Sequence, residues 1–236
     1  MASSKIKAIV LKSNNIKERD KQVTLYTLEE GKMIVSMRGV RNDKAKLKAG
    51  KEIFCFGEFV VEKGKNSNIV TAVDIIDNFY SLSSNIDKYY EGCVILDILD
   101  KIGLEPNPQL FIEAIKALKT LCYEDVKKYY VIDKFFVDIF KSLGFDFLSN
   151  KCSSCHSTLG SKYLNLDIGE LVCPACKTAS CVQISDACYG ALRIFESTDY
   201  DKLASVKLGG MGEVQAYNIL NTNFEWRLGI KLIKLI

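Results

Sequence analysis

The 236 residues include one histidine, three prolines and one tryptophan. A single histidine leaves one candidate for every catalytic triad or imidazole-metal site, which argues against most histidine-dependent enzymes. Long apolar runs are also missing. The longest uncharged ones span a few residues, such as Ala8 to Leu11, far below the roughly 18 needed to cross a bilayer. The start, Met1-Ala2-Ser3-Ser4-Lys5, leads into no apolar stretch of about 7–15 residues, so no secretory signal is expected. There is no Walker A loop, because Gly64-Lys65 lacks both the earlier glycine and a following Ser or Thr. No nucleophile is visibly paired with a base, so no enzymatic role and no small-molecule substrate are expected. With 48% apolar and 26% charged residues, the chain is neither disordered, coiled coil nor collagen-like. The expectation is a soluble, cytoplasmic protein with no membrane partner.

Charge is present but unevenly spread. Residues 1–65 carry 15 Lys/Arg against 8 Asp/Glu, and residues 66–151 carry 9 against 13. The remainder is balanced at 8 against 8. A basic first quarter suggests an anionic partner at that end, against the plainer reading of a solvated surface.

Nine cysteines are present. Four of them fall in the pattern Cys152-x2-Cys155-x17-Cys173-x2-Cys176. In a reducing compartment such pairs read as metal ligands rather than disulfides. Two tight bends of this kind place four thiolates around one structural Zn²⁺, with no open position for water. Iron on the same four sulfurs is the alternative. His156 adjoins Cys155 and reads as a solvated turn residue, and Cys181 is a spare. Cys93 and Cys122 lie in apolar helical patterns as small core residues.

Five short strands are expected in the first 80 residues, near 5–12, 22–28, 32–37, 52–62 and 68–76, with a turn at Glu30-Gly31. That number and spacing predict a small OB-like β-barrel. Strand 52–62 is apolar on both parities, so its outer face needs a cover from the helical part. From Ser84 the period becomes helical. One helix stops near Gly103, a second starts at Asn107-Pro108, and a third runs from about Glu124 to Gly144. Two more are expected near 186–196 and 213–226. The fold class is therefore α+β multidomain: barrel 1–80, helical bundle 81–151, four-cysteine insert 152–180 and C-terminal helices 181–236. Gly209-Gly210-Met211-Gly212 reads as a linker rather than a phosphate loop.

The basic stretch Arg38, Arg41, Lys44, Lys46, Lys48 and Lys51 sets six cations against Asp43 alone. Lys17, Arg19 and Lys21, offset by Glu18 and Asp20, mark the loop between the first two strands, and Lys63 and Lys65 the loop between the fourth and fifth. In five-stranded barrels the 1–2 and 4–5 loops contact oligonucleotides, and cations there neutralise phosphates. Tyr26, Phe54 and Phe56 are either core or base-stacking residues.

The order of these parts resembles the bacterial recombination mediator RecO family, zinc-bearing type. Leu25-Tyr-Thr-Leu-Glu-Glu-Gly31-Lys32 is similar to its second strand and turn, and Ser36-Met-Arg38-Gly39-Val40-Arg41 to its basic third-strand exit. Gly169-Glu-Leu-Val-Cys173-Pro-Ala-Cys176 resembles its second metal knuckle, and Leu228-Gly-Ile-Lys-Leu-Ile-Lys234 its closing segment. The resemblance implies a nucleoid-associated DNA-repair factor that binds single- and double-stranded DNA and anneals strands. It further implies action with RecR to load RecA onto DNA coated by single-strand binding protein. The acidic tail of that last protein would need a basic pocket on the helical part, for which Lys127, Lys128 and Lys134 are the candidates. The competing reading is a general zinc-ribbon module associated with RNA or transcription.

Overall fold

The structure, a computed structural model, describes residues 3–16, 18–42, 47–64, 67–145 and 147–232. The chain forms two compact units, residues 1–122 and 123–236. In the first, strands β1 (Ser3–Asn15), β2 (Lys21–Thr27), β3 (Gly31–Met37), β4 (Phe56–Lys63) and β5 (Asn68–Asp77) close a barrel in the order β1-β2-β3-β5-β4. All neighbours are antiparallel except β3 and β5. Period-two alternation sends Ile6, Ala8, Val10, Val23, Leu25, Val35, Phe59 and Val61 into one buried core. Strand β1 is long enough to serve two neighbours. Ser3–Ile9 pairs with β4, Ala8–Asn15 pairs with β2, and the register shifts between Val10 and Lys12.

The fourth strand starts at Phe56, later than the expected residue 52. Phe54 sits in the left-handed region at φ 70°, which ends any extended run, and Ala49–Lys51 form a short 3-10 turn. Phe54 is buried against the helix that follows. A β-carbon on Gly92 would lie 2.8 Å from its ring, so only glycine allows the approach. That helix, α1 (Ile86–Ile102), and α2 (Pro108–Tyr123) supply the cover that the second apolar parity required. Tyr26 and Phe56, both on the outside of the barrel, meet Phe111 of α2 at 5.8 and 6.0 Å between ring centroids. Asn107 caps α2 by accepting from the Leu110 N–H at 3.0 Å.

Because α1 and α2 turn their apolar faces to the barrel, the compact units divide between Cys122 and Tyr123. This grouping by contacts places α1 and α2 with the barrel. The second unit contains α3 (Tyr130–Ser142), β6 (Lys162–Asn165), β7 (Glu170–Val172), β8 (Cys181–Ile184), α4 (Asp186–Ser197) and α5 (Met211–Leu228). Helix α3 begins six residues after the expected Glu124, since Tyr129 at φ 73° interrupts the helical backbone. Gly144, at φ 80°, ends it as expected. Phe136 and Phe140 of α3 pack against Phe224 of α5. The short sheet has the order β7-β6-β8, so its third strand lies beyond the expected 152–180 insert. No described helix is long and apolar enough to cross a membrane.

A candidate nucleic-acid rim and a candidate metal centre

Two basic connections meet at one end of the barrel. The β1–β2 loop turns where Ile16 N–H donates to the Asp20 carbonyl at 3.2 Å. Lys21 pairs with both Asn15 and Met37, which brings this loop beside the exit of β3. There the Asp20 carboxylate accepts from the Gly39 N–H at 2.8 Å, and the Arg41 N–H donates to the Arg19 carbonyl at 3.1 Å. Gly39 adopts φ 63°, a turn that a side chain would strain. Val40, fully buried, anchors the exit in the barrel core. Arg19, Arg38 and Arg41 thus stand exposed on one rim whose backbone is fixed from both sides.

The other expected contacts fare differently. Lys17, Lys44 and Lys46 lie outside the described residues. Lys21 is half-buried and donates to Ser13 Oγ at 3.1 Å. Lys48 is exposed, whereas Lys51 pairs with Glu52 at 2.8 Å and keeps only 12% of its side chain in solvent. Lys63 is tied to Glu30 at 2.7 Å, and Lys65 lies outside the described residues. Base stacking by Tyr26 or Phe54 is excluded, since they are 0% and 4% exposed, and Phe56 packs on Phe111. Sequence reasoning missed Asp20, which looked like a charge offset. An acid placed inside a basic loop was the available signal.

In the second unit, Cys152, Cys155, Cys173 and Cys176 come together with their sulfurs all within 4.8 Å of one another. Each bend is held by its own backbone: His156 N–H donates to the Cys152 carbonyl at 2.9 Å, and Cys176 N–H to the Cys173 carbonyl at 3.1 Å. The Ser153 N–H reaches the Leu171 carbonyl at 3.0 Å, which brings the first bend beside β7. Burial pushes the Cys152 thiol up, but backbone N–H groups of Cys155, Cys173 and Ser154 outweigh it and hold it at about 6. The Ser157 hydroxyl lowers Cys155, and the neighbouring thiols Cys155 and Cys173 drive Cys176 up to about 12. The Cys155 and Cys173 sulfurs are 3.7 Å apart. A tetrahedral tetrathiolate with metal–sulfur bonds of about 2.3 Å needs roughly 3.8 Å, so the set fits one such metal ion. His156 is exposed and outside the cluster, and the sulfur of Cys181 instead accepts from the Thr178 N–H at 3.2 Å.

Lys127, Lys128 and Lys134 do not form an open basic pocket. Lys134 is 7% exposed and paired with Asp138 at 2.6 Å. Lys127 is paired with Glu213, and Lys128 lies over the Tyr129 ring.

The fold and the site together define a class: an OB-like barrel followed by helices and a four-cysteine cluster able to hold a metal. The family described as "Recombination protein O N terminal" matches residues 1–79, and "Recombination protein O C terminal" matches residues 83–235. The chain belongs to this recombination protein O family, a family of DNA repair proteins. It is similar to proteins named "DNA repair protein RecO". That of Clostridium novyi (strain NT) is 29% identical over 92% of this chain and 86% of its own length. That of Clostridium acetobutylicum is 28% identical over 95% and 90%, and that of Thermoanaerobacter sp. (strain X514) 25% over 96% and 93%.

Proposed function

We propose that this protein is a non-enzymatic mediator of DNA repair and homologous recombination. It binds single- and double-stranded DNA and anneals complementary strands in the cytoplasm, associated with the nucleoid. With RecR it helps load RecA onto DNA coated by single-strand binding protein. The observation that carries the reading is the shared rim, where Arg19, Arg38 and Arg41 project from two loops locked to each other. Cations on phosphates position a strand without reading its bases, which is what annealing of arbitrary sequences requires. Lys48 and Lys21 extend that surface in this reading, and Lys17, Lys44 and Lys46 are further DNA-contact candidates by sequence. The four cysteines hold one Zn²⁺ in a structural role, since four sulfurs leave no position for a reacting water.

The test is annealing of complementary oligonucleotides with and without single-strand binding protein. Acceleration in both arms is expected. No acceleration in either arm overturns the reading, and retained RNA binding in that case favours a general zinc-ribbon module. Colour tests the metal: a ferric tetrathiolate is red and the zinc protein colourless.

A further inference from the structure

Two phenylalanines in the left-handed backbone region, Phe54 at φ 70° and Phe79 at φ 45°, line one cavity of about 450 Å³ in the barrel unit. Bulky residues are rarely held there, and ligand clamps are among the places where such backbone collects. The cavity has an aromatic floor: Phe54 is 4% and Phe79 1% exposed, and Tyr89 meets Phe54 edge-on at 5.6 Å. Its wall includes Tyr80, which is 77% exposed. The turn carrying that ring is fixed, since the Tyr80 N–H donates to Asn78 Oδ1 at 3.2 Å and Ser83 Oγ donates to the Tyr80 carbonyl at 2.7 Å. The volume suits one small flat ligand with room to spare.

The end of the basic stretch also lines the cavity. Lys48 precedes the turn Ala49–Lys51, and Ala49 and Glu52 line the cavity. Lys51 offsets Glu52, the acid among the described lining residues, at 2.8 Å. A phosphate held at Lys48 therefore lies beside an aromatic cavity rather than a flat surface. We propose that this cavity receives an unpaired base of single-stranded DNA, stacked on Tyr80, with the adjoining phosphate toward Lys48. This rests on the nucleic-acid reading above and adds to it a strand preference. A duplex keeps its bases inside the stack, so only a single strand can offer one.

The experiment compares two oligonucleotides of equal length, one of thymidines and one with abasic sites at every position, by fluorescence anisotropy over a salt series. Their phosphates are the same, so any difference comes from bases. The full-length protein should bind the thymidine strand about 5-fold or more tightly, the lower end expected for stacking one base. Tyr80→Ala should bring the ratio toward one without moving the salt slope or the thermal midpoint, as the ring is largely exposed. Tyr80→Phe should keep the ratio. Equal binding of the two strands by the unaltered protein, with a steep salt slope, overturns the cavity and leaves the phosphate rim standing. A ratio unchanged in Tyr80→Ala also overturns it. If neither strand binds, the nucleic-acid reading fails and this inference with it.

Discussion

The barrel and the cysteine sheet hold their functional residues by opposite means. In the barrel, a filled apolar core and backbone hydrogen bonds place the rim, and the arginines are passengers on a finished frame. In the second unit, the strands beside the cysteines are three or four residues long. Isolated strands that short are marginal in water, so there the ligands are themselves part of the frame. Removing site residues should therefore weaken binding without unfolding in the first region, and unfold the second.

The largest effect should come from replacing Cys173 and Cys176 together by serine. Metal-coupled folding contributes about 10–16 kcal/mol in small zinc-finger peptides, and half the ligands would be gone. Elemental analysis should show loss of one metal per chain, with new proteolytic cleavage around β6–β8. A full metal complement in that variant would break the comparison. Next comes Phe59→Ala in the barrel core, where the ring is 0% exposed. It should cost about 3–5 kcal/mol in urea denaturation while metal content stays unchanged.

Arg19, Arg38 and Arg41 changed together to alanine should leave the thermal midpoint nearly fixed, because exposed substitutions usually stay within about 0.5 kcal/mol each. The log–log salt slope of single-strand binding should become shallower by about 2, at roughly 0.7 per lost phosphate contact. An unchanged slope would place the nucleic acid elsewhere.

The smallest effect concerns Asp100 of α1, bonded to Lys12 at 2.7 Å and Lys32 at 3.5 Å. Burial pushes its carboxyl up, but the two ammonium groups outweigh that and hold it below its ordinary value. Its contribution, about 1 kcal/mol, is present above the ordinary carboxylate range and is lost as pH falls through the lowered value. The stability gap between the unaltered protein and Asp100→Asn should thus close in acid. A gap that widened there would refute the assignment.

Much of this was legible in the sequence where the deciding contacts are local. Strand alternation placed β1 to β3 and β5, Asn107-Pro108 opened α2, and the cysteine spacing identified all four members of the cluster. What was not legible depended on backbone angles or distant partners. Phe54, Phe79 and Tyr129 take positive φ, which no residue preference announces, so the starts of β4 and α3 were misplaced. The packing of α1 and α2 on the barrel is decided by Gly92, Phe111 and Tyr26, whose contacts span long sequence separations. Asp20 showed its charge but not its partner, Gly39.

The barrel is not equally fastened all round. Among the described residues its antiparallel neighbours share seven or eight paired positions each, whereas β3 and β5 share two, Val35 with Asn68 and Ser36 with Ile69. Opening at that seam breaks the fewest ladder bonds, so amide exchange with solvent should begin there, ahead of global unfolding. Strand β3 ends at the arginine rim immediately after this seam. Opening there leaves the Asp20–Gly39 and Arg41–Arg19 bonds closed, so the arginine rim should move with β3 as one piece.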